Sequence, residues 1–214
     1  MKQPRFNLIF LGDPASGKAT QSAILARSFR MHSVDFGKYL REIQHSRSTD
    51  ALHRKIRKAM LSTYNQGKVF PTEIAKQFFK RQIESAPESK GILFDGNPKM
   101  LGEAKVICRT MEKNGRKRDS VLVLYLSVPA REILKRMRKR KELINGKYVK
   151  RSDDDMLAAR NRIRYFKKRI PDVLNFLSSK YEFKKISGLG SRKQVHKRII
   201  KRINGFIKRQ KRNK

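Results

Sequence analysis

The chain of 214 residues is long enough to bury one hydrophobic core, and its 38% apolar content excludes a disordered protein. No apolar run approaches the ~20 residues that a membrane helix needs, and no signal peptide is evident, so we expect a cytoplasmic protein. Cys108 is the single cysteine and provides neither an internal disulfide nor a zinc site. The 54 Lys and Arg against 18 Asp and Glu, a formal net charge of +36, favour phosphorylated ligands or nucleic acids as partners.

The excess of basic over acidic residues is greatest in the C-terminal part of the chain. Residues 156–214 contain 20 Lys and Arg, against two acids, Asp172 and Glu182. A phosphate site uses only a few of these cations. The remainder form a solvated surface, a footprint for nucleic acid or another anionic surface, or a general bias of the proteome, and the sequence leaves these three explanations open.

Hydrophobic periodicity predicts strands that alternate with helices. Short apolar runs typical of strands begin at Phe6 and cover residues 91–94, 121–128 and 181–186. Helical patterns cover residues 20–29, 35–45, 51–64, 71–85, 102–113, 129–140, 153–177 and 191–207. This alternation predicts an α/β protein with a parallel central sheet and helices on both faces, in three layers.

Several local signals mark the later boundaries. Asn145-Gly146 is typical of a hairpin turn, Ser152 or an adjacent Asp is expected to cap the helix that follows, and Pro171 predicts a kink or break in that helix. We expect the basic tail, residues 208–214, to be solvated and frayed. No repeat or linker marks a second domain, so residues 1–214 are predicted to form one domain.

A phosphate-binding loop is predicted between the first strand and the first helix. Gly12, Gly17 and Lys18 have the spacing G-x-x-x-x-G-K. Glycines let the backbone N–H groups approach phosphate oxygens, the helix N-terminus attracts the same anion, and the lysine adds a mobile positive charge. A plain glycine turn is the alternative, but the strand–loop–helix context favours a nucleotide site. The predicted nucleotide-phosphate-binding residues of this loop are Gly12, Asp13, Pro14, Ala15, Ser16, Gly17, Lys18, Ala19 and Thr20.

An acid is predicted to face the same crevice. Asp95 follows the strand at residues 91–94, and ligands of open α/β sheets bind beyond the carboxyl ends of the strands. A plain turn residue is the alternative reading of Asp95. Ala19 stands where many phosphate loops carry a magnesium-binding hydroxyl, and Thr20 could supply that hydroxyl one position later.

Together these motifs resemble the adenylate kinase family of nucleoside monophosphate kinases, over nearly the whole chain. GDPASGKATQ resembles the family's G-x-P-G-x-G-K-G-T-Q, GKYLR at residues 37–41 resembles G-D-x-L-R, and DGNPK at residues 95–99 resembles D-G-F-P-R. RSDD at residues 151–154, with Arg162, resembles the family's R-x-D-D…R segment.

The resemblance implies a P-loop NTPase fold that uses ATP and Mg²⁺ to phosphorylate a nucleoside monophosphate (NMP). It divides the domain into a core (about 1–30, 66–140 and 151–207), a helical NMP-binding insertion (about 31–65) and a short lid (about 141–150). Such a lid is too short for the zinc-bearing form, so no zinc is implied. The expected partners are ATP and a nucleoside monophosphate, and we expect a monomer.

The resemblance also assigns roles to individual residues. In so basic a chain, any single arginine is a surface residue by default. The arginines named below gain weight because they match the family motifs jointly and in register. The implied catalytic residues are Lys18, Arg136, Arg151 and Arg162 around the moving phosphoryl, and Asp95, which orients magnesium-bound water. Arg136 and Arg140 flank the lid entrance on the ATP side, and Asp153 and Asp154 couple to lid closure. The implied acceptor-binding residues are Phe36, Arg41, Lys68, Phe70, Asp95, Gly96, Lys99, Glu103, Arg151 and Arg162.

The chain departs from the family pattern at functional positions. Ala15 and Ala19 replace glycines and add methyl groups that should narrow the phosphate loop. Lys99 replaces an arginine and lacks its planar fork, so the acceptor phosphate should be held more loosely. Glu103 replaces a glutamine that reads adenine; an ionised carboxylate repels adenine N1 and suits a guanine edge better, unless Glu103 is a plain surface residue of its helix. We therefore hypothesise that AMP is not the only, or not the best, acceptor.

Two other functions remain open from the sequence. One is a diverged family member with weak kinase activity that binds RNA or another polyanion through its basic surface. The charge favours it, as do the departures at Lys99, Glu103, Phe36 (a threonine in the family) and Lys38 (an aspartate in the family). The other is a P-loop kinase for an acceptor that lacks a phosphate, against which Arg41 and the lid motif argue.

Overall fold

The computed structural model describes residues 5–63, 70, 72–139, 141–144, 147–150 and 156–212. Its strands are β1 (Asn7–Gly12), β2 (His32–Val34), β3 (Ile92–Asp95), β4 (Val121–Ser127), β5 (Lys141–Ile144), β6 (Lys147–Lys150) and β7 (Glu182–Ser187). Its helices are α1 (Lys18–Ser28), α2 (Phe36–His45), α3 (Ala51–Ser62), α4 (Thr72–Glu84), α5 (Leu101–Lys113), α6 (Ala130–Lys139), α7 (Met156–Lys180) and α8 (Arg192–Arg212).

A five-stranded parallel sheet forms the centre of the protein, in the order β2-β3-β1-β4-β7. β1 is the middle strand, with Phe10 opposite Asp95 of β3 and Gly12 opposite Leu126 of β4. The phosphate loop therefore leaves the sheet at its centre, beside the carboxyl end of β3, where Asp95 lies.

Helices cover both faces of this sheet, which confirms the predicted three-layer architecture. Leu8 and Phe10 of β1 pack on the side of α1 and α8, whereas Ile9 and Leu11 face α2, α3, α4, α5 and α7. This alternation follows from the strand geometry, since successive side chains point to opposite faces. β4 is buried along both faces, as its continuously apolar sequence predicts.

The short antiparallel pair β5–β6 confirms the predicted hairpin. Ile144 lies opposite Lys147, and Lys141 lies opposite Lys150. The two-residue connection, Asn145-Gly146, matches the turn signal of the sequence and lies outside the described residues. Within the described residues, no helix is both long and apolar enough to cross a membrane.

Three observed elements, β2, α7 and α8, differ from the sequence prediction. Strand β2 was not predicted, because three residues are too few to show a period, and its pairing with β3 defines it. Helix α7 runs through Pro171 without a break, since Ile170, Val173 and Leu177 around it are buried in the core.

Helix α8 continues to Arg212, so residues 208–212 of the predicted frayed tail are helical. Phe206 is buried at this end of the helix, Arg209 pairs with Glu182, and Gln210 donates a hydrogen bond to the Asp119 carbonyl. These contacts hold the last turns of α8 against the sheet.

Candidate active site

The phosphate loop connects β1 to α1 at the carboxyl edge of the sheet. A Cβ atom at Gly12 would lie 2.7 Å from the Leu126 carbonyl oxygen, so only glycine lets β1 end this close to β4. The first helical bond of α1 runs from the Gln21 N–H to the Gly17 carbonyl. The N–H groups before Gln21 therefore belong to the helix end, the part of a helix that attracts phosphate.

Lys18 extends from this loop across the β3 motif. Gly96 has a φ of 70°, and a Cβ atom there would lie 2.7 Å from Cε of Lys18. The lysine side chain thus passes directly over Gly96, next to Asp95. Two motifs that are far apart in the sequence meet at one point of the sheet edge.

Charged groups from three other segments act on the Asp95 carboxyl group at this edge of the sheet. Burial raises the pKa of Asp95 and the Asp35 carboxylate adds to the rise, whereas Lys18 and Arg41 lower it. Arg41 of α2 therefore acts on the same carboxyl group as Lys18. Asp35 was not among the predicted site residues; it caps α2 by accepting a 2.9 Å hydrogen bond from the Lys38 N–H.

Asp13 is bonded within the protein. Its carboxylate accepts a hydrogen bond from the Tyr125 hydroxyl (2.7 Å) and one from the Val128 N–H (2.8 Å). Its own N–H donates to the Leu126 carbonyl at 3.0 Å. Asp13 thereby joins the phosphate loop to the end of β4, and its contact with ATP stays a prediction.

Arg136 joins three segments around the phosphate loop. Its guanidinium donates to the Glu132 carboxylate (2.6 Å), to the Ser16 carbonyl (3.2 Å) and to the Gly188 carbonyl (3.0 Å). The connection between β7 and α8, residues 188–191, thereby borders the loop. The sequence analysis missed this segment, and its only signal is the pair Gly188 and Gly190 after the last strand.

Ala15 takes a backbone conformation that favours glycine. Its φ is 55°, in the left-handed region, which costs a non-glycine residue about 1 kcal/mol. Its methyl group packs against the small cluster of Val128, Ile133 and Met137. The Ala15 methyl group thus contacts α6, and the narrowing of the loop stays a prediction.

The predicted acceptor-base residues are buried. Phe36 and Phe70 are each 5% exposed. Glu103 is 3% exposed, so it is not a surface residue of α5. Its Oε2 accepts hydrogen bonds from the N–H groups of Lys99 (2.7 Å) and Met100 (3.3 Å), which caps the start of α5.

The remaining predicted residues divide into two groups. Ala19, Thr20 and Lys99 are exposed at this edge, and Pro14 is partly exposed. Arg162 lies in α7, where the structure describes the backbone of that position only. Lys68, Arg140, Arg151, Asp153 and Asp154 lie outside the described residues.

The comparison with known proteins agrees with this arrangement. The family model of adenylate kinase matches residues 10–182. The chain belongs to the adenylate kinase family. As a member of that family it is a phosphotransferase that uses ATP with Mg²⁺.

Similar proteins match the chain over almost their whole length. The adenylate kinase of Azobacteroides pseudotrichonymphae genomovar. CFP2 is 24% identical, with 94% of this chain and 99% of that protein covered. The adenylate kinase of Bacteroides fragilis is 25% identical (92% and 98% covered), and that of Porphyromonas gingivalis is 27% identical (94% and 97% covered).

The described residues of this adenylate kinase family member fit ATP with Mg²⁺. The helix end and Lys18 suit a polyphosphate, and the Asp95 carboxylate and Thr20 hydroxyl are the hard oxygen groups that Mg²⁺ prefers. Among the described residues, no group of three or more His, Cys, Asp and Glu side chains could hold a metal without the nucleotide.

The buried Glu103 makes stability depend on pH. Burial raises the pKa of Glu103 above that of the unfolded chain, against the lowering effect of the Lys99 and Met100 N–H groups. The ionised carboxyl is therefore less favourable when folded, so its contribution to stability falls as pH rises from the ordinary glutamate pKa through the raised one. Glutamine keeps an oxygen for the helix end and does not ionise.

We predict that the melting temperature of Glu103→Gln rises relative to that of the wild type as the pH is raised from 4.5 to 7.5. Thermal unfolding of both proteins at several pH values measures this difference. Glu112→Gln is the control, because Glu112 is exposed on the same helix. An equal difference at both pH values would contradict the prediction.

Proposed function

We propose that the protein transfers the γ-phosphoryl group of ATP reversibly to a nucleoside monophosphate, giving ADP and a nucleoside diphosphate. The meeting of Lys18 with Asp95 and Gly96 carries this proposal. It joins the donor loop to the motif assigned to the acceptor, with Arg41 in electrostatic range of the same carboxyl. Adenylate, which the relatives' name contains, is the first acceptor to test.

The chemistry requires positioning and charge neutralisation more than covalent groups. Lys18, Arg136, Arg151 and Arg162 would surround the transferred group, and Asp95 would orient water on the magnesium. Arg41 and Lys99 would hold the acceptor phosphate, next to Gly96. Arg136 would exchange bonds to Ser16 or Gly188 for bonds to a phosphate, while Glu132 keeps its guanidinium in place.

The proposed parts of the site follow the family's division of the chain. Residues 31–65 would form the acceptor-binding insertion, to which Lys68 and Phe70 are adjacent. Residues 141–150 would form the lid, with Asp153 and Asp154 positioning the closing arginines and Arg140 at its entrance. Closure would exclude water and so suppress hydrolysis of ATP.

The test is formation of nucleoside diphosphate from ATP–Mg²⁺ with AMP, GMP, CMP and UMP in separate reactions. Lys18→Ala should reduce turnover by about 100-fold or more, because it removes a charge that stabilises the transferred phosphoryl. Lys105→Ala, which removes an exposed lysine of α5, should leave turnover unchanged. Folded protein that binds ATP but phosphorylates none of the four would refute the proposal.

Lys99 offers a gain-of-function test of the acceptor phosphate site. Lys99→Arg restores a planar, bidentate donor, so we predict a decrease of about three- to tenfold in the acceptor KM. The KM for ATP should stay constant. Lys105→Arg is the matched control, and an unchanged acceptor KM in Lys99→Arg would show that Lys99 does not touch the phosphate.

A second candidate function, binding of RNA, is favoured by the surface of α8. This helix has ten Lys and Arg in 21 residues and no acid. Its apolar side packs on the sheet through Val195, Ile199 and Ile203. The opposite side is a cationic surface about 24 Å long, consisting of Lys193, Lys197, Lys201, Arg202 and Lys208.

Single-stranded RNA should bind this surface in a salt-dependent manner, with affinity falling steeply between 50 and 200 mM salt. Lys197→Glu with Lys201→Glu should weaken binding about tenfold or more. The same change at Lys55 and Lys58 of α3 is the control for net charge. Equal losses from both pairs would show that the binding is not localised on α8.

A further inference from the structure

Tyr125 is a buried residue of β4 whose hydroxyl group reaches the phosphate loop. Its side chain is 7% exposed and packs in the core cluster that also contains Ile9 and Leu11 of β1. Its hydroxyl donates a 2.7 Å hydrogen bond to Oδ1 of Asp13, the residue that follows β1. The apolar sequence of β4 predicts burial and gives no sign of a second role for its tyrosine.

Asp13 determines where the phosphate loop begins relative to the sheet. Its Oδ1 accepts from Tyr125, and its Oδ2 accepts from the Val128 N–H at 2.8 Å. Its carbonyl accepts a 3.1 Å bond from the Ser16 N–H, which closes a turn over residues 13–16. The bonds of the Asp13 carboxylate therefore fix one end of this turn to β4.

The remainder of the turn is supported from the side of α6. The Ala15 methyl group packs against the cluster that contains Val128, and the Arg136 guanidinium donates to the Ser16 carbonyl. Ala15 has a φ of 55°, a conformation that a non-glycine residue keeps only where its surroundings enforce it. The turn is thus not favoured by its own sequence and depends on contacts such as the one from Tyr125.

The position of this turn affects how well the loop binds phosphate. The N–H groups at the start of α1 must point at phosphate oxygens, and a hydrogen bond weakens steeply as its donor turns away. Removal of the Tyr125 hydroxyl would also take one partner from a buried carboxylate next to a loop that receives a polyanion. A loosened loop and a less satisfied negative charge both lower the affinity for ATP.

We propose that Tyr125 is a positioning residue for ATP: its hydroxyl, acting through the Asp13 carboxylate, holds the phosphate loop in the geometry that binds the polyphosphate. The inference rests on the use of ATP with Mg²⁺ that the chain shares with its family. It does not depend on which acceptor is phosphorylated.

The experiment measures the dissociation constant of ATP–Mg²⁺ by titration calorimetry for the wild type and for Tyr125→Phe, which removes only the hydroxyl group. Because hydrogen bonds to charged groups are the stronger ones, we expect a loss of about tenfold in affinity. In turnover assays the KM for ATP should rise by a similar factor, with kcat at saturating ATP within about twofold of the wild type. A merely structural loss would lower kcat and leave the dissociation constant and the KM for ATP unchanged, and that result overturns the inference.

Tyr181→Phe is the matched control. Tyr181 is also buried in the core cluster of Tyr125, and its hydroxyl is bonded to Cys108. It directly precedes β7, at the edge of the sheet opposite the phosphate loop. This variant loses the same group from the same core, so its ATP affinity should remain that of the wild type. An equal loss of ATP affinity in both variants overturns the inference.

A double-mutant cycle tests whether Tyr125 acts through Asp13. In an Asp13→Ala background, Tyr125→Phe should change the dissociation constant of ATP by less than about twofold, because the carboxylate is already absent. Additive losses overturn the inference. Should Tyr125→Phe not fold, Asp13→Ala alone tests the same contact, and an unchanged ATP affinity in that variant overturns the inference as well.

The inference and the proposed function fail in different ways. ATP affinity that responds as expected, in a protein that phosphorylates no nucleoside monophosphate, supports the role of Tyr125 and refutes the proposed function. Turnover with a monophosphate, together with ATP affinity that is insensitive to Tyr125→Phe, refutes the role of Tyr125 and leaves the kinase activity intact.

Discussion

The carboxylate of Asp13 is the interaction on which the geometry of the site depends. One oxygen accepts from Tyr125 and the other from the Val128 N–H, so the first residue after β1 is fixed to the end of β4. A buried carboxylate bonded at both oxygens is costly to disrupt, because its partners would be left without acceptors. The burial of Tyr125 and its bond to Asp13 both raise the pKa of Tyr125, which keeps its hydroxyl a donor. The phosphate loop is thus held against the end of β4.

The proposed donor side and acceptor side of the site consist of different kinds of chemical group. The donor side consists of backbone and charged groups: the end of α1, Lys18, and Arg136 with its bonds to two carbonyl groups. The proposed acceptor side has Arg41 and Lys99 as its candidate cations, beside the buried aromatic rings around Phe36. A polar donor side suits a phosphate chain, which is the same in every nucleoside triphosphate.

The basic excess is only partly explained by phosphate binding. Lys18, Arg41 and Lys99 are candidate residues of the site, and Arg136 is bonded beside it, but α8 alone contributes ten further cations, all of them exposed. Repulsion between like charges one helical turn apart weakens a helix. Burial of Val195, Ile199, Ile203 and Phe206 offsets this repulsion. Packing therefore maintains α8, and the pairing of Arg209 with Glu182 adds to it at the C-terminal end.

The sequence by itself determined the features that depend on local pattern: the phosphate loop, the alternation of strands and helices, the β5–β6 hairpin and the buried strand β4. Glycine spacing and apolar period encode these within a few residues. The tertiary structure alone decided the rest. β2 is a strand only because β3 pairs with it, and Pro171 stays helical only because its neighbours are buried. Asp13, Glu103 and Arg136 could each have met a ligand or the protein, and their roles depend on partners chosen by packing. A side chain's partner follows from which surfaces fold together, and one-dimensional spacing does not contain that information.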